Sequence, residues 1–519
     1  MKKSLLDRLL EYYDISFEQY LELKKPYDLT NFAEGHKFDD IDKATKLVKD
    51  VIDNKGKILI YGDYDADGVM GTSILVKMFQ YLDVVVDYYI PSRYLDGYGI
   101  NLEHAKEYVD ANYELIITVD NGISAFEAIN YLHEHNVKVL VLDHHTIQDE
   151  VPLAEAICHP TYSHFGEVAS SGAFTAFIFS ISLLGYTDKY LATLASISLI
   201  SDMMPLLSYN RNLLKAVIKD YVKGEFKSID LIADNEDFNE SVIGMKIAPR
   251  INSIGRLIED SSVNEIVKYF ISEDDEFILN YFSRILEVNE IRKNLTKNAG
   301  QDLAFDSDKN CIVILGEFKE GIIGLIANSI MSQYHVPTIV FCKSKDDEYK
   351  GSARAPEGFN IVDAFTSLSD LLITFGGHAS AGGCSIRQEN YDEFVARFSA
   401  LADSTPLEKV KHKCIEIYLN ELNEANYELI NTFSPFGESW NVPLFKIKHI
   451  KASTLFYSRD GKHILTSIGF SLRLVGFNFS KEFMSSFEYV DLIGTVKKSS
   501  YKGKSYIEFN ISEIEDSQN

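Results

Sequence analysis

Three short apolar runs, at 57–61, Leu115–Val119 and 137–142, each end on acidic or imidazole side chains, and helix-like stretches near 69–82, 101–110 and 122–136 separate them. That alternation predicts a parallel β-sheet, because parallel neighbours need a crossover long enough to hold a helix. Ligands of such sheets bind beyond the carboxyl ends of the strands. The clusters fall at those ends: Asp63, Asp65 and Asp67 after the first run, Asp120 after the second, and Asp143, His144 and His145 after the third. Unrelated surface turns would seldom collect at one sheet edge, so the expected fold class is α/β with a functional edge.

The first cluster, Gly-Asp-Tyr-Asp-Ala-Asp-Gly (62–68), sets three carboxylates at alternate positions, on one side of an extended chain. Carboxylates that close repel unless positive charge sits between them, and hard divalent cations take oxygen ligands. Taken alone, the segment reads equally well as an Asp-rich turn, since Asp and Gly are favoured in turns for backbone reasons. The further clusters shift the balance toward a metal site. A fourth candidate, Asp202, follows an apolar helix-like run at 191–200 and precedes Met203-Met204-Pro205.

A chain of 519 residues should hold several domains, and 46% hydrophobic with 25% charged residues is a globular composition. The five cysteines are scattered without a CxxC pair, which argues against structural zinc and for a reducing compartment. No stretch reaches the roughly 20 apolar residues of a membrane span, so the expected location is cytoplasmic, with no membrane partner. A net charge of −26 would repel a long polyanion at distance. It argues against long DNA more than against phosphoester hydrolysis, because salt screens beyond about 10 Å and local patches make the contacts.

The motifs resemble the DHH phosphoesterase superfamily, and within it the RecJ-type single-strand-specific exonucleases. The likeness rests on Gly-Asp-Tyr-Asp-Ala-Asp-Gly (62–68), Val-Asp-Asn-Gly-Ile (119–123), Leu-Asp-His-His (142–145) and Ile-Ser-Asp-Met-Met-Pro-Leu (200–206). It continues through Ala-Pro-Arg-Ile-Asn-Ser-Ile-Gly-Arg-Leu (248–257) and Val-Asn-Glu-Ile-Arg-Lys (288–293). Beyond these come Gly-Ser-Ala-Arg (351–354), Phe-Gly-Gly-His-Ala-Ser-Ala-Gly-Gly (375–383) and, more weakly, 435–445. It covers the chain from about residue 40 to the end.

The resemblance implies a parallel-sheet DHH domain joined by a helical connector to a DHH-associated α/β domain, with a C-terminal OB-like β-barrel. The expected parts are an N-terminal extension at 1–40, the catalytic domain at 41–265, the connector at 266–300, the DHH-associated domain at 301–402 and the OB-like part at 403–519. Strand-like runs at 311–315, 338–342, 414–418, 464–470, 472–477, 489–496 and 505–511 fit those parts.

By the same resemblance, two divalent ions, Mn²⁺ or Mg²⁺, are held by Asp65, Asp67, Asp120, His144 and Asp202, with Asp120 bridging; direct coordination by Asp63 is left open. His145 contacts the phosphate or protonates the leaving group, and Asp143 orients a histidine. Arg354, His378 and its neighbours Gly376, Gly377 and Ser380 are candidate phosphate contacts. Arg250 and Arg256 are strand contacts or surface ion pairs, and Ser170-Ser171-Gly172 is a small-residue helix start or a simple cap.

Lys497, Lys498, Tyr501, Lys502 and Lys504 interleave cations and rings on a hairpin, with Lys462, His463 and Arg473 as extensions; a solvated lysine-rich turn is the alternative. The expected activity is 5′-to-3′ hydrolysis of single-stranded DNA to nucleoside 5′-monophosphates in repair and recombination, by a monomer, with repair or single-strand-binding proteins as partners. The alternatives are a DHH phosphodiesterase for short oligonucleotides or cyclic dinucleotides, and an inactive nucleic-acid-binding scaffold. Two stretches depart from the RecJ-type pattern. Gly437-Glu438-Ser439-Trp440-Asn441 replaces a Gly-x-Gly-Asn-Pro run, and Lys-Glu-Gly-Ile-Ile-Gly (319–324) lacks an expected histidine.

Overall fold

The computed structural model describes residues 3–32, 37–97, 99–148, 150–163, 165, 168–259, 261–301, 310–344, 347–405, 407, 412–501 and 504–517. The chain forms two compact units. The larger comprises Asp28–Met204 and Ala216–Val410, the smaller Met1–Tyr27, Pro205–Lys215 and Lys411–Asn519.

In the larger unit, β1 (Ile58–Tyr61), β2 (Asp87–Tyr89), β3 (Leu115–Val119), β4 (Lys138–Leu142) and β5 (Ala156–Cys158) form a wholly parallel sheet in the order β2-β1-β3-β4-β5. Every residue of β1 and β3 is buried, as expected when helices cover both faces. Leu59, Tyr61, Ile116, Val139 and Val141 pack with Ala105, Ile129 and Leu132 of the helices Leu102–Asp110 and Phe126–Glu134. The helices Ala66–Tyr81 and Gly172–Leu184 contact β3 as well and pack on each other and on Lys189–Ser201. The chain leaves β1 for β2 on one side and returns to β3 on the other. The crevice at this reversal is where an α/β sheet receives ligands.

The second sheet has the order β6-β7-β8-β10-β9, from β6 (Ile312–Gly316), β7 (Thr338–Lys343), β8 (Glu348–Arg354), β9 (Leu372–His378) and β10 (Ala381–Arg387). Only β6 and β7 run parallel. Its core is Ile339, Phe341, Phe365, Phe394 and Phe398. The 27-residue helix Asp275–Gln301 precedes it. The glycine run forms a hairpin: Gly376 and Gly377 lie on β9, opposite Gly383 and Gly382 on β10. A Cβ on Gly377, at φ +140°, would come 2.3 Å from the Ala381 carbonyl oxygen. Where the histidine was expected, Lys319 pairs with Glu259 at 2.6 Å and Glu320 with Lys350 at 3.1 Å.

The smaller unit carries a sheet in the order β11-β12-β15-β16-β14-β13, from β11 (Ile415–Glu416), β12 (Phe445–Lys451), β13 (Ile464–Ile468), β14 (Leu472–Gly476), β15 (Tyr489–Tyr501) and β16 (Lys504–Asp516). Among the described residues β11 and β13 do not pair, so the OB-type sheet is open rather than a closed barrel. Arg211 holds this unit together from a segment remote in sequence. Its guanidinium donates to the carbonyls of Phe433, Ser434 and Pro435 and lies 4.9 Å from the Trp440 ring. Tyr13 stacks on Trp440 at 4.4 Å, and the Leu206 amide donates to the Glu438 carbonyl. Through Trp440 and the Glu438 carbonyl, the departing stretch 437–441 ties segments of this unit together. These ties also explain why contacts divide the chain discontinuously, whereas the sequence reads as five consecutive parts.

Candidate metal centre

The strand ends of the first sheet gather the acidic clusters into one pocket. Asp63, Asp65 and Asp120 each offer a carboxylate oxygen, and these atoms lie within 4.8 Å of one another. Asp67, His144 and Asp202 form a second group with the same property, and Asp120, His144 and His145 a third. His144 Nε2 joins the groups: it lies 3.1 Å from Asp120 Oδ1 and 3.5 Å from Asp67 Oδ2 and from Asp202 Oδ2. Asp63, which the sequence left open, stands inside the first group.

Local structure fixes each carboxylate. Asp65 caps the helix Ala66–Tyr81 by accepting from the Asp67 and Gly68 amides. Asp67 points to another helix start, accepting from the Gly172 and Ala173 amides at 2.7 Å each and from the Ser198 hydroxyl at 2.6 Å. The small residues at 170–172 are what permit this. A Cβ on Gly172 would lie 2.7 Å from the Asp120 Cβ. Asp120 itself takes φ +62°, a left-handed conformation that aspartate tolerates better than most side chains.

Electrostatics leave the pocket short of positive charge. Burial, and then the neighbouring acids, push the Asp63 and Asp120 carboxyls well above the ordinary range, and the same causes push Asp202 up to about 8. Asp63 Oδ1 is buried without a hydrogen-bond partner among the described residues. Hard cations would satisfy this oxygen-rich set with one imidazole.

Beside it, Asp143 Oδ1 accepts from the His144 and His145 amides and, at 2.8 Å, from His145 Nδ1, while Oδ2 accepts from the Ile123 amide. Burial opposes the Asp143 charge, but the His145 hydrogen bond and charge outweigh it and keep the carboxyl well below the usual range. Burial also opposes the His145 charge, yet the Asp143 bond raises the imidazole to about 9.

Guanidinium groups occupy the cleft next to Asp65. Arg256 donates to the Gly321 carbonyl at 3.2 Å and is pushed down to about 10 by burial and then by Arg93, with Arg292 and Arg354 contributing. Arg93 lies 4.3 Å from the Tyr64 ring, and its buried Nε has no hydrogen-bond partner among the described residues. Arg354 donates to Ser352 Oγ. The sequence reading missed Arg93 and Arg292. Arg93 follows β2, whose Asp-Tyr-Tyr lacks the apolar signature of a buried strand, and Arg292 sits in a charged helix pattern that gives it no distinct signal.

Other candidates have different surroundings. Arg250 pairs with Asp234 at 2.8 Å and donates to the Ile232 carbonyl, the structural alternative foreseen for it. Gly376, Gly377, His378 and Ser380 are exposed on the β9–β10 hairpin. In the smaller unit Lys497 and Lys504 are exposed, Lys498 pairs with Glu424 at 2.7 Å, and Arg473 stacks on Tyr506 at 3.6 Å. Lys502 and the side chain of Tyr501 lie outside the described residues. Among the described residues no helix is long and apolar enough to cross a membrane.

Family models match three stretches: the N-terminal domain of the DHH family at 57–200, the DHHA1 domain at 308–404 and the RecJ OB domain at 415–513. The single-stranded-DNA-specific exonuclease RecJ of Bacillus subtilis is 31% identical over 78% of this chain, which spans 54% of that relative's length. RecJ of Haemophilus influenzae is 30% identical over 85% of this chain and 82% of its own length. Among solved structures, RecJ of Thermus thermophilus in complex with Mn²⁺ superposes with a TM-score of 0.84 at 23% identity, covering 100% of this chain and 79% of that one. An exonuclease RecJ bound to manganese matches with a TM-score of 0.62 at 28% identity, covering 71% of this chain and 96% of that one. With its three domain types in order and the Haemophilus relative matched over most of its length, the chain belongs to the RecJ family.

Proposed function

We propose that this protein is a metal-dependent exonuclease that hydrolyses single-stranded DNA from the 5′ end, releasing nucleoside 5′-monophosphates in DNA repair and recombination. The observation that carries the reading is the pair of ligand groups, Asp63-Asp65-Asp120 and Asp67-His144-Asp202, at the switch point of a parallel sheet. Relatives named single-stranded-DNA-specific exonucleases support the substrate class.

In this reading Asp63, Asp65 and Asp120 would hold one Mn²⁺ or Mg²⁺ ion and Asp67, His144 and Asp202 the other, with Asp120 Oδ1 3.1 Å from His144 Nε2. Two such ions supply charge for the phosphate, activate water and stabilise the leaving oxygen. The chain's own residues do the rest. His145, protonated and oriented by Asp143, delivers a proton through Nε2 to the 3′-oxygen as its bond to phosphorus breaks. Arg256 and Arg354, with Arg93 and Arg292, hold a phosphate at the substrate end. The exposed peptides of Gly376 and Gly377, with His378, line the strand's path. Arg250 is left out, since its guanidinium is committed to Asp234.

The test is incubation with end-labelled single-stranded DNA, duplex DNA, dinucleotides and cyclic dinucleotides, with Mn²⁺ and with chelator. The reading expects monophosphate release from single strands carrying a 5′ label, abolished by chelator. Cleavage confined to dinucleotides or cyclic dinucleotides would assign the other DHH phosphodiesterase activity instead.

A further inference from the structure

We infer that His159 is a positioning residue for His145, holding the peptide that aims the His145 imidazole; the inference rests on the hydrolytic reading above. His159 is 1% exposed and directly follows β5, whose last residue, Cys158, pairs with Leu142 at the end of β4. It therefore emerges beside the Asp143-His144-His145 segment. Its Nδ1 accepts from the amides of Thr161 and Tyr162, at 3.2 and 3.4 Å. With that nitrogen acting as an acceptor, the proton resides on Nε2. Nε2 lies 2.8 Å from the His145 carbonyl oxygen, so it donates there.

The consequence is that His145 is held at three points. Its amide and its ring Nδ1 both donate to Asp143 Oδ1, at 3.2 and 2.8 Å, and its carbonyl is held by His159. The first two bonds share a single acceptor oxygen, Asp143 Oδ1. The third, from the buried ring that follows β5, restrains the His145 backbone from a separate element. Proton delivery to a leaving oxygen needs hydrogen-bond reach, so a small rotation of the imidazole is costly to rate. Among the described residues His159 makes no hydrogen bond to any of the six proposed ligands, so the metal groups do not depend on it in the same way.

The experiment compares His159→Leu, which removes the donor, with His159→Gln, whose amide nitrogen restores a donor near the Nε2 position. Single-turnover cleavage of single-stranded DNA, KM and Mn²⁺ affinity are read for each. Expected for His159→Leu is a loss in kcat of about 10- to 100-fold, the usual range for a group that orients a catalytic partner. KM and Mn²⁺ affinity stay within about twofold, and His159→Gln regains most of the rate. Wild-type kcat in the Leu variant overturns the inference, as does a rate loss matched by an equal loss of Mn²⁺ affinity or a folded Gln variant without rescue. If His159→Leu does not fold, His159→Met replaces it, with the same criteria. If the wild-type protein cleaves no strand, the hydrolytic reading fails, and crystal structures of the variants decide the inference separately. A His145 ring displaced from Asp143 in the Leu variant and returned in the Gln variant supports it, and an unmoved ring overturns it.

Discussion

Asp67 accepts from two amides of one helix start and from a hydroxyl of another helix. Those bonds hold its direction. Replacing Ser198 by Ala removes one donor and is expected to lower metal affinity about 10- to 100-fold while the protein stays folded, as isothermal titration with Mn²⁺ would measure. Protonation gives a second prediction. The Asp202 carboxyl of the metal-free protein is raised by burial, and then by Asp67 and Asp65, to about 8, against about 3.9 in an unfolded chain. The folded state thus binds this proton more tightly. Its stabilising effect is complete below about pH 4 and is lost as pH rises through 8. In chelator, the melting temperature should therefore fall between pH 6 and 8.5, and added Mn²⁺ should raise it more at the higher pH. A rise with pH in chelator would contradict that charge assignment.

At the residue scale, strand ends and carboxylate spacing make the aspartate clusters legible as candidates for metal chemistry, whereas Asp202 follows a helix and its part in the ligand set was legible only through the family resemblance. The place of Asp63 was not legible, since both readings of the triplet give it the same sequence. Only burial and an unpartnered oxygen distinguish it.

Among elements, β1, β3 and β4 were legible because buried parallel strands are continuous apolar runs. The β9–β10 hairpin was hidden by four glycines, which ordinarily weaken a strand. The register of β12, where Lys446, Lys448 and His449 interrupt the apolar residues, gave too weak an alternation to be read. The start of the helix Gly172–Leu184 is the element on which the pocket closes. A methyl group at Gly172 would meet Asp120 at 2.7 Å. Gly172→Ala is expected to destabilise the fold by about 1–3 kcal/mol through overpacking and to reduce cleavage further by displacing Asp120. Urea unfolding and activity of the variant check both. Unchanged values would show that the helix start has room to move.

At the scale of the molecule, the net charge of −26 is unevenly spread. Residues 411–519 carry as many basic as acidic side chains, so the deficit lies entirely in the rest of the chain. That distribution reconciles an acidic protein with the proposed polyanionic substrate, and the exposed Lys497 and Lys504 are the candidates for long-strand contact. Replacing both by Ala should flatten the salt dependence of long-strand binding by about 0.7 in log–log slope per lysine and spare cleavage of very short strands. The assembly of the smaller unit was not legible. Nothing in a linear pattern announces that Arg211 and Tyr13 meet at Trp440, because those contacts exist only in the folded chain.

In the proposed enzyme the two ligand groups, with Asp120 between them, form a two-metal centre. Anomalous diffraction at the manganese edge, from crystals soaked in Mn²⁺, measures it directly. Two peaks about 3.5–4 Å apart are expected, one bounded by Asp63, Asp65 and Asp120 and the other by Asp67, His144 and Asp202, with Asp120 reaching both. A single peak, or two that leave Asp120 unshared, would contradict it.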